Sequence, residues 1–315
     1  MTAAVVLFWV SLAALVWTHA GYPLFAALLA RVAPRRVRAA DIEPAVTVIV
    51  TAYNEEPVIA RRIENLLELD YPRDKLQIVV TDANSTWASD ALRRLVTVFA
   101  DPDVASVMGR LNLTDANGDN KEGIYWRYEV WLRAQESRLG SVTGGYGSIY
   151  ALRRADYVEV DPRFGHDLAL PYLMVQRGRR AVYEAGANAY EEPTPTIGTE
   201  YGRKVRMFEH CWLIVLRGRM LRRLGPVYGL EIVSHRLLRY GSGVLHVVLL
   251  VTSILLVAHG WIYAAVLAAQ LALLLAALIG VGIARYYVLV SWATNVALFN
   301  YLRRGVPASW EPVRE

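Results

Sequence analysis

Two stretches of this chain, residues 3 to 30 and 244 to 302, are almost free of charge. Residues 40 to 240 between them carry the mixture usual in a soluble protein. No single motif restricts the fold as much, because long uncharged runs belong in a bilayer or deep inside a protein. The expected class is a globular domain anchored to a membrane. Thr2 to Ala30 is long enough to cross, and Arg31, Arg35, Arg36 and Arg38 follow at once. Arginine on one flank marks the cytoplasmic side, so the N-terminus is expected outside and the domain in the cytosol. A cleaved signal peptide would carry its basic residues at the other end. Near the C-terminus, Val244 to Ala258 and Ala264 to Ala284 read as two spans joined at His259-Gly260-Trp261. Tyr286 to Leu302 is also apolar, yet it holds Ser291, Thr294, Asn295 and Asn300, and a third span here would export Arg303 and Arg304. A tilted or interfacial helix with a cytoplasmic tail, 303–315, is expected instead. The net charge of +5 and pI near 9.3 suit anionic lipid and phosphate-bearing substrates. No nucleic-acid motif is present, so nucleic acid is not an expected partner. Cys211 is the only cysteine, which excludes an internal disulfide.

Within the soluble part, Val46 to Ala52 is a β-branched run of the kind found in a strand covered on both faces. Tyr53-Asn54-Glu55-Glu56-Pro57 follows, where Asn54 or Glu55 can cap a helix and Pro57 suits its first turn. Ile59, Ile63, Leu66 and Leu67 mark one apolar face, and Leu76 to Val80 completes a β-α-β unit, which favours a parallel sheet. Thr81, Asp82, Ala83 and Asn84 then form a polar loop before the helical period of Leu92, Leu95, Val96 and Phe99. Asp82 and Asn84 stand at a strand's carboxyl end, where open α/β sheets hold ligands. An acid with a second oxygen donor suits a hard divalent cation, although a strand-end aspartate is more often a loop or cap residue.

Lys121 to Leu139 reads as a helix with Ile124, Tyr128, Leu132, Gln135 and Leu139 on one line, its aromatic residues suited to core packing more than to stacking on sugar. Gly144-Gly145-Tyr146-Gly147 leads into a strand from Ser148 to Leu152, and its glycines permit either a plain turn or close approach of backbone to a ligand. Asp167 precedes the apolar Leu170, Leu173 and Met174, a place for an N-cap. Arg203, Lys204, Arg206, Arg217, Arg219, Arg222 and Arg223 alternate with Phe208, Trp212, Leu213 and Leu216, as in a helix lying on anionic lipid.

TAYNEEPVIARRIENLLELDYPRDKLQIVV resembles the opening of membrane-bound glycosyltransferases of family 2, which have the GT-A fold. The likeness continues through TDANSTWASDALRRLVTVFADPDVASVMGRL, YWRYEVWLRAQESRLGSVTGGYGSIYALRR, FGHDLALPYLMVQRGRRAVYEAGANAYEE, RKVRM and SHRLLRY, in family order. The resemblance implies an α/β fold with a doubly wound, mostly parallel sheet plus transmembrane and interfacial helices. It implies an N-terminal span at 1–31, a cytoplasmic domain at 41–202, interfacial helices at 203–243 and C-terminal membrane helices at 244–302, in a bacterial-type inner membrane.

By the same resemblance, Ala52, Tyr53, Asn54 and Glu55 line the nucleoside of a nucleotide-sugar donor. Asp82, with Asn84, holds Mg or Mn, and Gly144 and Gly145 border the donor sugar and acceptor. Asp167 is the general base toward a lipid or saccharide acceptor, and Arg206 meets the diphosphate. The implied chemistry is inverting transfer, with a role in polysaccharide biosynthesis of the cell envelope. Departures are equally specific. Thr51 replaces a proline, His166 replaces the first acid of an acidic pair, and Arg203 and Met207 replace the Gln and Trp of processive relatives. LQIVV also runs straight into TDAN, where relatives have a further strand-helix-strand unit of roughly 30 residues carrying a nucleoside-side acid. A reduced sheet is therefore expected. A catalytically inactive interaction subunit is the rival reading, and a dinucleotide-dependent oxidoreductase is disfavoured because no G-x-G-x-x-G follows the first strand.

Overall fold

The β-branched run Val46–Val50 forms strand β1, and Leu76–Val80 forms β2 beside it, parallel and in register from Val46↔Leu76 to Val50↔Val80. The computed structural model describes residues 1–50, 56–80, 85–114, 123–192 and 197–306. Ahead of β1, α1 (Thr2–Val16) and α2 (Tyr22–Val32) run on through a π-helical turn, Trp17–Gly21. α3 (Glu56–Leu67) links β1 to β2 and buries Leu66 in the main core. β3 (Thr86–Trp87), α4 (Ala91–Thr97) and β4 (Val104–Leu113) come next, then α5 (Ile124–Leu139), β5 (Tyr150–Leu152), α6 (His166–Gln176) and β6 (Arg180–Glu191).

These strands form a second sheet in the order β3-β6-β4-β5, in which β4 and β6 are parallel and the outer pairings antiparallel. The α/β class and the reduced sheet are as expected, but among the described residues the sheet is divided and only half of its pairings are parallel. The reason is local. Only residues 81–85 separate β2 from β3, too few for a crossover, so β3 turns back as an antiparallel edge on β6. Hydrophobic packing still joins the two pieces, since Val48, Leu66, Trp87, Leu95, Val107 and Val182 share one core.

Beyond β6 the chain is helical: α7 (Ile197–Arg217), α8 (Pro226–Glu231), a second π-helical turn at Ile232–Leu237, α9 (Leu238–Tyr240), α10 (Ser242–Leu256), α11 (Trp261–Leu278) and α12 (Gly282–Arg304). Among the described residues, three segments are long and apolar enough to cross a membrane: Thr2–Val32, Ser242–His259 and Trp261–Leu278. α1 and α10 pack through Phe8, Leu15, Leu249 and Leu256. α12 is not among the three and lies along α7 instead. α7, which spans the junction expected at residues 202 and 203, buries Phe208, Cys211, Trp212 and Ile214.

Polar contacts hold α12 in place. Glu209 Oε1 accepts from Asn300 Nδ2 at 2.7 Å and from Arg304 Nη2 at 3.0 Å, and Trp212 Nε1 donates to Thr294 O at 3.0 Å. Gly243 lets α10 approach α12 closely: a Cβ there would overlap Ser291 O and lie 2.6 Å from Asn295 Oδ1. Gly243→Val must therefore push α10 off α12. The expected cost is roughly 1–3 kcal/mol, read as a lower thermal midpoint of the detergent-solubilised chain, and an unchanged midpoint would contradict the packing.

Candidate active site

Gly144 and Gly145 begin the turn that closes the inner edge of the domain, and neighbours on every side fix it. Arg133 on α5 donates through Nε to Gly144 O at 3.0 Å while its guanidinium lies 3.9 Å above the Tyr146 ring. Tyr146 stacks in turn on Trp126, 4.9 Å away and 24° from parallel. Gly145 packs on Met108 of β4, and Gly147 faces His166. Gly109 leaves no room for a side chain, since a Cβ would lie 2.7 Å from both Ala187 O and Ile149 Cγ1. A β4/β6 register shift falls at the same place.

Asp167 meets this turn directly. Gly145 N–H donates to Asp167 O at 2.7 Å. Gly165, not Asp167, is the N-cap of α6, so the carboxylate sits inside the first turn, where a helix favours negative charge. It is half-buried, and its Oδ1 accepts from Leu168 N–H at 3.0 Å. His166 is exposed and lies against the Tyr150 ring at 5.2 Å. The Tyr150 hydroxyl is pushed up, first by burial and then by the Asp167 charge.

Arg206 is half-buried on α7, which shares a core with α6 through Leu168, Tyr172, Val205 and Phe208. The Asp167 charge also reaches α7, because it adds to the burial that pushes the Cys211 thiol up to about 12. Gly144, Gly145 and Asp167 are thus joined, with Arg206 on the adjoining helix. Ala52, Tyr53, Asn54, Glu55, Asp82 and Asn84 lie outside the described residues. The strands leading to them end side by side, Val50 opposite Val80. After the second of these segments, Ser85 Oγ and Trp87 Nε1 both donate to Ser148 O, at 3.4 and 3.0 Å. Ser85 and Trp87 are therefore docked on the turn just ahead of β5.

Comparisons with known proteins fit this arrangement. Residues 47–89 match the model of glycosyl transferase family 2. Among solved structures, the fold is similar to mannosyltransferase PcManGT from Pyrobaculum calidifontis, determined in complex with GDP-Man and Mn2+. The TM-score is 0.69 at 20% identity, over 94% of this chain and 99% of that one. The chain thus carries a segment similar to glycosyl transferase family 2 within a fold similar to that of a mannosyltransferase. No curated protein matches it by sequence. The chain has the GT-A fold, with candidate membrane helices at both ends.

A buried charge cluster beneath the site was not legible in the sequence. Of the line expected along α5, Leu132 is buried and Tyr128 and Leu139 pack against the same cluster, whereas Ile124 is exposed and the polar Arg133, Glu136 and Ser137 are buried beside them. Glu136 Oε1 accepts from the Tyr22 hydroxyl at 2.7 Å and lies 2.5 Å from His235 Nδ1, while Oε2 accepts from Thr143 N and Oγ1 at 3.2 and 2.9 Å. Glu129, one heptad earlier, faces His235 Nε2 at 3.4 Å and pairs with Arg239. Burial alone would raise the Glu136 carboxyl. The charges of His235 and Arg236 and the hydrogen bonds from His235 and Tyr22 outweigh it and hold the group below the usual range. The available signal was the pair Glu129 and Glu136 on one helical face, opposite the His235-Arg236-Leu237-Leu238-Arg239 run.

Glu231 behaves oppositely. It is buried, its Oε1 has no hydrogen-bond partner among the described residues, and burial followed by repulsion from Glu136 raises its carboxyl well above 4.5. The folded chain then holds this proton more tightly than the unfolded chain, so stability falls as pH rises above 4.5. Glu231→Gln removes that slope. The variant should melt higher than the parent at pH 7, and the two curves should converge below pH 4.5; a constant gap across this range would contradict the assignment.

Proposed function

We propose that this glycosyltransferase moves a sugar, with inversion, from a nucleoside-diphosphate donor to a lipid or saccharide hydroxyl at the cytoplasmic face of a membrane. The observation that carries the reading is the hydrogen bond from Gly145 to Asp167 O, which keeps a half-buried carboxylate beside a turn of small residues. The docking of Ser85 and Trp87 on Ser148 supports a donor site next to it, continued by Asp82 and Asn84.

Asp167 takes the proton of the acceptor hydroxyl as its oxygen attacks the anomeric carbon, on the face opposite the leaving diphosphate. Gly144 and Gly145 border the reacting sugar, their missing side chains leaving room for Arg236 and Met108 against the turn. Arg206 pairs with the diphosphate through charge-assisted hydrogen bonds. Ala52, Tyr53, Asn54 and Glu55 line the nucleoside. Among the described residues no cluster of three His, Cys, Asp or Glu could hold a metal ion. The protein's share of the coordination falls to the oxygens of Asp82 and Asn84, hard donors that fit Mg or Mn beside phosphate. A bound ion would offset the charge developing on the leaving diphosphate. The Mn2+ and GDP-Man held by PcManGT support this donor class.

Orientation follows from charge. With three spans, Arg31, Arg35, Arg36 and Arg38 lie on the same side as Arg303 and Arg304, which the positive-inside tendency assigns to the cytoplasm.

Calorimetry of the solubilised chain with GDP-mannose, UDP sugars and their diphosphates tests the donor site. Binding that requires Mn and disappears in Asp82→Ala is expected. No binding at millimolar ligand by a folded chain would favour an inactive interaction subunit. Asp167→Asn is expected to slow transfer roughly 10²–10⁴-fold while donor affinity stays within about twofold. An equal loss of donor binding would remove Asp167 from the role of base.

A further inference from the structure

The two π-helical turns of the membrane part touch each other. Trp17 Nε1 in the first donates to Ser234 Oγ in the second at 2.9 Å. A π turn inserts a residue and rotates the helix that follows. Past the first turn, Tyr22 is aimed at Glu136 of α5; within the second, His235 and Arg236 are aimed at the same place. Membrane-entry helices thereby reach into the floor of the catalytic domain.

Arg236 goes furthest. Its Nε donates to Thr143 O at 3.2 Å and to Thr143 Oγ1 at 3.0 Å, and Nη1 reaches the Tyr240 hydroxyl at 3.5 Å. The guanidinium also occupies the space a side chain at position 144 would need, with Cζ 2.9 Å from a Cβ built on Gly144. Thr143 is fully buried and is gripped from its other side by Glu136. Two residues on, Gly145 N–H donates to Asp167 O. A continuous run of bonds thus joins the membrane-entry turn to the backbone of the candidate base.

We infer that Arg236 is a positioning residue: from the membrane-entry π turn its planar fork fixes Thr143 to Gly145 and, through them, Asp167, so that the docked membrane helices set the geometry of transfer. The catalytic half of this inference rests on Asp167 as base. If Arg236 only neutralised the buried glutamates, any cation at 236 would serve. A planar guanidinium that shares its Nε–H between a carbonyl and a hydroxyl while Nη1 reaches the Tyr240 hydroxyl has no equivalent in the point charge of a lysine, and this difference separates the two roles.

The test uses the full chain in detergent or nanodiscs, with Arg236→Lys and Thr143→Val beside the parent. Amide hydrogen exchange is followed in peptides covering residues 144–147, with kcat and donor KM in parallel. In Arg236→Lys, exchange at this turn should speed up at least tenfold, by rough estimate, because the carbonyl and hydroxyl lose their shared donor. The kcat should fall roughly a hundredfold, the scale of a small misplacement of a reacting group, with donor KM within about twofold. Thr143→Val, which keeps the carbonyl and removes the hydroxyl that accepts from Arg236 and donates to Glu136, should move both readouts the same way by less, and it decides the matter if the lysine variant does not fold. Unchanged exchange at 144–147, or a wild-type kcat in Arg236→Lys, would overturn the inference. A parent chain without transfer activity would instead sink the reading of Asp167 as base, while the exchange measurement still decides whether Arg236 holds the turn.

Discussion

Glu136 is wholly buried, and a buried carboxylate is tolerated only when its charge is matched and its lone pairs are filled. Every partner that does this comes from a different part of the chain. Tyr22 comes from the N-terminal rod, Thr143 from the turn at the candidate site, and His235 from the membrane-entry turn. Removing any one of them would leave charge in a low-dielectric interior, so anchor, site and membrane helices are held to one arrangement by a single electrostatic requirement. Hydrophobic packing alone would tolerate sliding between α2 and α5; charge pairing at fixed distances does not.

The membrane part follows the same economy of contacts. α12 holds to α7 through Glu209 and Trp212, and α10 closes on α12 at Gly243. α11 touches little except its neighbours and keeps most of its apolar surface uncovered, as expected of a helix whose solvent is lipid. The α/β domain is therefore braced on α2 and the Ile232–Leu237 turn more than on the hairpin α10–α11.

The divided sheet has a plain cause in chain length. β1 and β2 satisfy each other's backbone in parallel, and β3 has only the edge of β6 available. Ile49 on β1 remains 60% exposed, on a face that no other described element covers. That the fold still aligns with PcManGT over nearly its whole length shows that α-helical packing and the β4–β6 pair can carry the architecture.

The sequence by itself determined the elements whose cause is local. The β-branched run made β1, the apolar period made α3 and α4, and freedom from charge marked the three candidate spans. It also singled out Gly144, Gly145 and Asp167, because small residues and a carboxylate ahead of a helix carry their chemistry in their identity. Its apolar line along α5 found Leu132 but not the buried Arg133 and Glu136 beside it, since apolar spacing says nothing of charges, and these are buried with partners across a turn and 99 residues away. Which residue caps α6 was also decided by tertiary contact, the Asp167 carbonyl being taken by Gly145. The meeting of Tyr22, Glu136, Thr143, His235 and Arg236 belongs wholly to the tertiary structure, because long-range charge pairing leaves no periodicity in the sequence for a reader to find.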